Sequence, residues 1–125
     1  MSRRKLFAIR GATQLEFDSA QEMGDKIESL INTIYEVNEI VIDEVVSIQF
    51  TITNDLHALN PATAYRLRCK KGDAPLFCAS EPDIIGMLER TVRVMIHLYR
   101  DESEKKIQHI YLEGTALLRK DLFES

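Results

Sequence analysis

The strongest constraint on the fold is a change in the spacing of apolar residues, from a helical period to a strand period. Between Met23 and Ile34 they recur every three or four positions, which predicts a long helix through about Val37 with one apolar side. Across residues 45–53 they alternate with polar residues, as in a strand with one face on a core. The two patterns together predict a sheet packed against a helix.

Capping signals mark where two helices begin. Ser19 and Glu22 have the spacing of a capping box, in which the two side chains accept hydrogen bonds from each other's backbone amides. Asn60 followed by Pro61 fits an N-cap and a first helical position, and it opens a short helix through Arg68. One long and one short helix are therefore expected.

Extended segments account for the rest of the chain. A short strand is predicted at residues 6–10, ended by a turn at Gly11, and three more at residues 75–79, 91–99 and 106–113. The polar stretch 101–105 is predicted to join the last two as a hairpin. The resulting fold class is α/β or α+β, a mixed sheet with both helices on one face.

Size and charge limit the classes of function. A chain of 125 residues fits one domain, and a core this small favours oligomerisation. The net charge of −4 argues against nucleic acid or an anionic membrane as partner. No apolar run approaches the roughly 20 residues of a membrane span. The basic start lacks the long apolar run of a signal peptide. A cytoplasmic protein is expected.

The cysteines and histidines give no sign of a metal or a cofactor. Cys69 and Cys78 match neither a disulfide framework nor a zinc pattern, so reduced thiols are expected. His57, His97 and His109 lack the spacing of metal ligands. The chain also has no glycine-rich phosphate loop and no nucleophile elbow.

Arginines among apolar residues are the most informative polar positions. Arg93 stands at the centre of the most apolar strand, where a cation needs an internal ion pair or an anionic ligand, and the pattern alone favours neither. Arg10, at a strand end, is more commonly a solvated residue. Glu81 in a loop and Tyr111 in a strand more often have no functional role. The residues indicate an anionic small-molecule site without identifying the molecule.

Several short motifs, in order from about residue 8 to residue 122, resemble the trimeric chorismate mutases of the α/β class. They are residues 9–13 (IRGAT), 55–58 (DLHA), 61–62 (PA), Cys78 with Glu81, 92–95 (VRVM), 109–113 (HIYLE), 118–119 (LR) and 121–122 (DL). Each motif is weak by itself, but together they keep the spacing of the family.

The resemblance implies one chorismate mutase-like domain over residues 1–125. It also implies a homotrimer with a pseudo-α/β-barrel core and active sites between subunits. In that family chorismate becomes prephenate by an intramolecular Claisen rearrangement, the committed step toward phenylalanine and tyrosine. The enzyme would be an isomerase that uses no cofactor or metal and works by electrostatic stabilisation and conformational restriction.

The resemblance also implies roles for five catalytic residues. Arg93 would reach the ether oxygen of the breaking bond and a carboxylate. Arg10 would hold the enolpyruvyl carboxylate, with Tyr111 donating to the same group. Glu81 and the region of Cys78 would receive the ring hydroxyl.

Eight further positions are implied to bind substrate: Asn60, Ala62, Thr63, Arg66, Leu76, Phe77, Leu118 and Arg119. Arg66 and the neighbourhood of Ala62 would come from the adjacent subunit, and the last two would flank the site. Asn60 stands where the family usually has an aromatic residue, Thr63 where some relatives have lysine, and Lys120 replaces a proline. These departures bear on substrate affinity more than on the chemical step.

Two other interpretations remain at this point. RidA-like imine deaminases also bind a carboxylate through an arginine at a subunit interface, although residues 9–13 and 109–113 fit the mutases better. A non-catalytic trimeric module that binds a small acid is the second, and the joint presence of Arg10, Glu81, Arg93 and Tyr111 argues against it.

Overall fold

The computed structural model describes residues 3–119 and contains five strands and two α-helices. In chain order the elements are β1 (Arg4–Gln14), α1 (Ala20–Val37), a 3₁₀ turn (Ile42–Glu44), β2 (Val45–Ile52), α2 (Pro61–Arg68), β3 (Leu76–Ser80), β4 (Thr91–Asp101), β5 (Ile110–Tyr111) and a 3₁₀ helix (Glu113–Arg119). The strands form one sheet in the order β3-β2-β4-β1-β5. The two central pairings, β2–β4 and β4–β1, are antiparallel and the two outer ones are parallel. The predicted mixed α+β sheet is confirmed.

Helix α1 follows its sequence signals closely. The hydroxyl of Ser19 accepts a hydrogen bond from the backbone amide of Glu22 at 3.1 Å. The Glu22 carboxylate does not return to Ser19 but accepts from the amides of Glu16 and Phe17, so only half of the predicted capping box forms. The predicted apolar stripe is fully buried against the sheet: Met23, Ile27, Leu30, Ile31 and Ile34.

Helix α2 has the predicted bounds. The side chain of Asn60 accepts a hydrogen bond from the amide of Ala62 at 2.8 Å and Pro61 occupies the first turn. The helix packs on α1, where the Arg68 guanidinium donates to Asp25 at 2.6 Å and to Glu28 at 2.8 Å. Both helices share one core with the inner face of the sheet, and the other face is left without helical cover.

Several predictions about the strands are wrong. The last strand, predicted at residues 106–113, covers only Ile110–Tyr111. The chain does not turn at Gly11, because β1 continues to Gln14. A side chain at position 11 would place its Cβ 2.8 Å from Ile34 Cδ1 and 3.0 Å from the carbonyl oxygen of Ile110, so the glycine serves close packing. The predicted hairpin at residues 101–105 also fails. β5 pairs in parallel with β1, since both edges of β4 are already occupied by β1 and β2.

The alternation predicted for β4 is confirmed, with Val92, Val94, Ile96 and Leu98 buried on the helix side. In β2 the pattern holds for Ile48 and Phe50, but Val46 is exposed because the ladder shifts register beside it. A buried arginine does occur in β4, but it is Arg100, whose guanidinium donates to the carbonyl of Asn38 at 2.6 Å. That bond ties the strand to the end of α1.

Candidate active site

A cavity of about 360 Å³ opens on the face of the sheet that the helices leave uncovered. This volume is within the range of small-molecule sites. Four of the five predicted catalytic residues line it: Arg10, Glu81, Arg93 and Tyr111. The other lining residues are Gly11, Gln49, Thr51, Val94 and Met95.

Strand register brings these side chains together from distant parts of the sequence. Residues opposite each other on neighbouring strands project to the same face. Two rows of partners cross the uncovered face: Thr51, Arg93, Ala12 and Tyr111 in one, and Gln49, Met95 and Arg10 in the other. The site is therefore built on the strands themselves, so its geometry is as rigid as the sheet.

Arg93 and Glu81 form an ion pair at the wall of the cavity. Nε of Arg93 lies 3.2 Å from Oε2 of Glu81, and the hydroxyl of Thr51 donates to the same oxygen. The Glu81 side chain is 13% exposed whereas that of Arg93 is 45% exposed. Of the two possibilities left open for Arg93, the structure thus contains an ion pair, but the guanidinium still faces open space. Because the contact uses Nε, the two terminal nitrogens can address a ligand.

Arg10 approaches the cavity from β1. Its backbone amide donates to Nδ1 of His109 at 2.9 Å, which ties β1 to the segment that leads into β5. Leu112 continues that pairing, with its amide 2.9 Å from the carbonyl of Ala12. Within residues 3–119 the Arg10 side chain has no ion pair, so its charge is available to an anion. Tyr111 sits beside it, half-buried on β5.

Cys78 lies on the opposite side of the sheet from the cavity. It is in register with the core residue Phe50, and its side chain packs against the helix-side core. Burial raises the pKa of its thiol. Because the side chain faces away from the cavity, any contact of Cys78 with a ligand there would come from its backbone.

The predicted substrate-binding residues around α2 lie away from this cavity in the same chain. Asn60 caps the helix and Ala62 is buried in its first turn, one residue before the half-buried Thr63. Arg66 lines a different cavity, of about 420 Å³, together with Lys70 near the end of α2. The chain by itself does not bring these residues to Arg10 and Arg93.

The other predicted binding residues are divided between faces. Phe77 is 67% exposed and in register with the cavity residue Gln49, whereas Leu76 is in register with the core residue Ile48. Leu118 is half-buried in the C-terminal 3₁₀ helix. The side chain of Arg119 and residues 120–122 lie outside the described residues.

Five lining residues are not among the site residues predicted from sequence, and three of them project from the uncovered face of the sheet: Gln49, Thr51 and Met95. The alternation of apolar residues along β2 and β4 predicts that each of these three side chains points away from the core. Which of those positions surround a site depends on the register between strands, which the pattern does not contain.

Among residues 3–119 no group of three or more histidine, cysteine or acidic side chains could hold a metal ion. Within the same range no helix is long and apolar enough to cross a membrane. The cavity itself is lined by two guanidinium groups, one carboxylate and one phenol.

The fold and the cavity define a class of protein: a small α+β domain whose bare sheet face carries a cavity lined by two arginines. Comparison with known proteins places the chain within that class. The family model for chorismate mutase type I matches residues 6–122. Chorismate mutase AroH of Bacillus subtilis (strain 168) is 38% identical over 114 residues, covering 91% of this chain and 90% of that protein.

Two further relatives agree. Chorismate mutase AroH of Thermus thermophilus is 32% identical over 115 residues, covering 91% of this chain and 93% of that protein. The solved chorismate mutase from Clostridium thermocellum superposes with a TM-score of 0.80 at 36% identity, covering 89% of this chain and 98% of that one. The chain belongs to the chorismate mutase type I family and is an isomerase of aromatic biosynthesis. The imine deaminase and the non-catalytic module are not favoured.

Proposed function

We propose that the chain rearranges chorismate to prephenate in the cavity between Arg10 and Arg93. One observation carries the proposal: two guanidinium groups and a single carboxylate line one cavity, so the cavity is locally positive in a chain of net charge −4. Chorismate is a dicarboxylate, so its binding site must supply positive charge.

Arg93 is the group that acts on the reacting atoms. In the rearrangement a carbon–oxygen bond breaks ahead of carbon–carbon bond formation, so negative charge builds on the ether oxygen. The terminal nitrogens of Arg93 are held by strand β4 and by the Nε contact with Glu81, so they need no reorganisation as that charge appears. One such preorganised donor contributes about 3–4 kcal/mol to a transition state.

The other cavity residues hold the substrate in the reactive shape. Arg10 and Tyr111, which line the cavity from the neighbouring strands β1 and β5, bind the enolpyruvyl carboxylate. Glu81 accepts the ring hydroxyl through the oxygen that Arg93 and Thr51 do not use. Holding the enolpyruvyl side chain of chorismate over its ring restricts the substrate to the reactive conformer, which can lower the barrier by several kcal/mol.

The chemistry balances within the substrate. The electron pair of the new carbon–carbon bond and the cleaved carbon–oxygen bond belong to one molecule, and no proton, redox partner or acceptor is exchanged. A millionfold acceleration requires about 8 kcal/mol, which the two effects can supply together. A general acid–base pair is not needed, in keeping with a cavity whose ionisable groups are arginines, a salt-bridged carboxylate and a phenol.

A trimer with shared sites is part of the same proposal. The uncovered sheet face exposes large apolar side chains, including Leu6, Tyr99 and Phe77, which association would remove from water. Arg66 and Asn60 do not line the cavity of their own chain, so a role in binding chorismate would place them at the cavity of a neighbour. Both observations support clefts between subunits.

The activity is tested by mixing the purified protein with chorismate and measuring its loss together with prephenate formation. Wild type and Arg3→Ala are expected to be active and Arg93→Ala to be nearly inactive. Arg3 is the matched control because its side chain is 81% exposed. A folded wild type that forms no prephenate, or that instead hydrolyses a 2-imino acid, would refute the proposal.

The shared site is tested by complementation. Light scattering should give the mass of three chains. Arg93→Ala and Arg66→Ala chains, each nearly inactive alone, should regain activity when coexpressed, because some clefts then receive both arginines. Equal random mixing predicts about a quarter of the wild-type activity. No recovery in verified mixed trimers would place Arg66 outside the cleft.

A further inference from the structure

Thr51 is the one neutral hydroxyl side chain that contacts the charged pair of the cavity within residues 3–119. It lies near the end of β2, opposite Arg93 on β4 and Ala79 on β3. Glu81 follows Ala79 by two positions, and its amide donates to the carbonyl of Ile52 at 2.8 Å, so the strand pairing extends to it. The backbone thereby delivers Thr51, Glu81 and Arg93 to the same face.

The three side chains meet at one atom. Oε2 of Glu81 accepts from the Thr51 hydroxyl and lies 3.2 Å from Nε of Arg93. The other carboxylate oxygen, Oε1, has no hydrogen bond to any described residue. The hydrogen bond from Thr51 and the ion pair with Arg93 both fall on Oε2, which fixes the orientation of the carboxylate and leaves its second oxygen for the cavity.

We propose that Thr51 is a positioning residue, whose hydroxyl holds the Glu81 carboxylate so that Arg93 is engaged through Nε alone. This role rests on the proposed function, because it concerns how the charged pair meets chorismate. With the hydroxyl in place, the terminal nitrogens of Arg93 point to the ether oxygen and Oε1 of Glu81 to the ring hydroxyl.

The expected effect of removing the Thr51 hydroxyl follows from the way a guanidinium and a carboxylate pair. An arginine and a carboxylate pair most strongly when two parallel hydrogen bonds join them. Without Thr51, nothing among the described residues prevents Glu81 from turning to meet the guanidinium in that way. A terminal nitrogen would then serve Glu81 instead of the substrate. The loss would fall on the chemical step, since that nitrogen acts on charge that develops in the transition state.

Threonine suits this role for a conformational reason. Its branched Cβ restricts χ1 in a strand, so the hydroxyl keeps one direction at little cost in entropy. Two substitutions separate the hydroxyl from the shape. Thr51→Val keeps the branch and removes the donor, whereas Thr51→Ser keeps the donor and removes the methyl group.

The test compares steady-state kinetics of wild type, Thr51→Val and Thr51→Ser with chorismate. In Thr51→Val, kcat is expected to fall about 10- to 100-fold, the scale of one hydrogen bond to a charged group, while KM changes less than about threefold. Thr51→Ser should retain most of kcat. A Thr51→Val variant whose kcat equals that of an active wild type would overturn the proposal. A Thr51→Ser variant as slow as Thr51→Val would overturn it too.

A double-mutant cycle decides whether Thr51 acts through Glu81. In a Glu81→Ala background, Thr51→Val should change kcat no further. An undiminished effect there would mean that Thr51 contacts substrate or supports the fold instead. A crystal structure of Thr51→Val gives a readout independent of activity. The Glu81 carboxylate should have rotated toward a two-bonded pair with Arg93, and an unmoved carboxylate would refute the positioning role even if the wild type proved inactive on chorismate.

Discussion

Replacing Arg93 with lysine keeps the charge of the cavity and removes the shape of the guanidinium. Arg93 uses Nε to contact Glu81 at 3.2 Å and keeps two nitrogens for the cavity. A lysine ammonium is one nitrogen on a flexible stem, so it either pairs with Glu81 or reaches the substrate. At least one hydrogen bond between charged groups is lost, about 1.5–3 kcal/mol. With the lost orientation, about 3–4 kcal/mol is expected, or a 100- to 1,000-fold lower kcat.

The assay is kcat and KM with chorismate, alongside thermal unfolding and the molecular mass in solution. Because the Arg93 side chain is 45% exposed, the free energy of unfolding should change by less than about 1 kcal/mol. The assembly should be unchanged. A folded Arg93→Lys variant with kcat within about threefold of wild type would show that charge alone suffices, and the reasoning from the guanidinium fork would be wrong.

Three further predictions concern other parts of the chain. Cys78→Ser should leave kcat within about threefold, because the thiol packs on the core side of the sheet, and full inactivation of a folded variant would restore a thiol mechanism. Asn60→Phe should change KM more than kcat, since the position is expected at the edge of a neighbour's cleft, and the reverse result would show that it is misplaced. Burial raises the pKa of Asp55, but hydrogen bonds from Thr53 and the amide of Arg90 outweigh it and hold the pKa below its ordinary value. The stability that wild type has over Asp55→Asn, read from urea unfolding, should thus be present above about pH 4 and disappear as the pH falls further, and a pH-independent difference would contradict this assignment.

The elements that sequence predicts well are those whose signals are local. Helix α1 combines a cap at Ser19 with a continuous apolar stripe, and both act within a few residues. The neighbour of β5 is not predictable from such signals, because an apolar pattern indicates a buried face and not a partner strand. The need for glycine at position 11 is not local either, because the atoms that a side chain would meet belong to Ile34 and Ile110, which are distant in sequence.

The site was predictable only in part for the same reason. Arg93 is recognisable from the sequence because a cation interrupts an apolar strand. No local sequence pattern, however, connects it with Arg10, Glu81 or Tyr111. Their grouping came from likeness to a family, and the structure reproduces it through strand register. Thr51 shows the limit clearly: its importance depends on the two residues it faces across the sheet, neither of which is near it in the chain.

In strand β4, successive residues alternate between the core and the cavity side. Its even-numbered side chains from Val92 to Leu98 build the core, and the odd-numbered ones, beginning with Arg93, face the cavity side. Core residues and cavity residues of β4 can therefore be substituted with little effect on each other. The strand does not tolerate a change of length, because deleting one residue would turn the arginine inward and an isoleucine outward. Such a deletion would disrupt the hydrophobic core and the active site together.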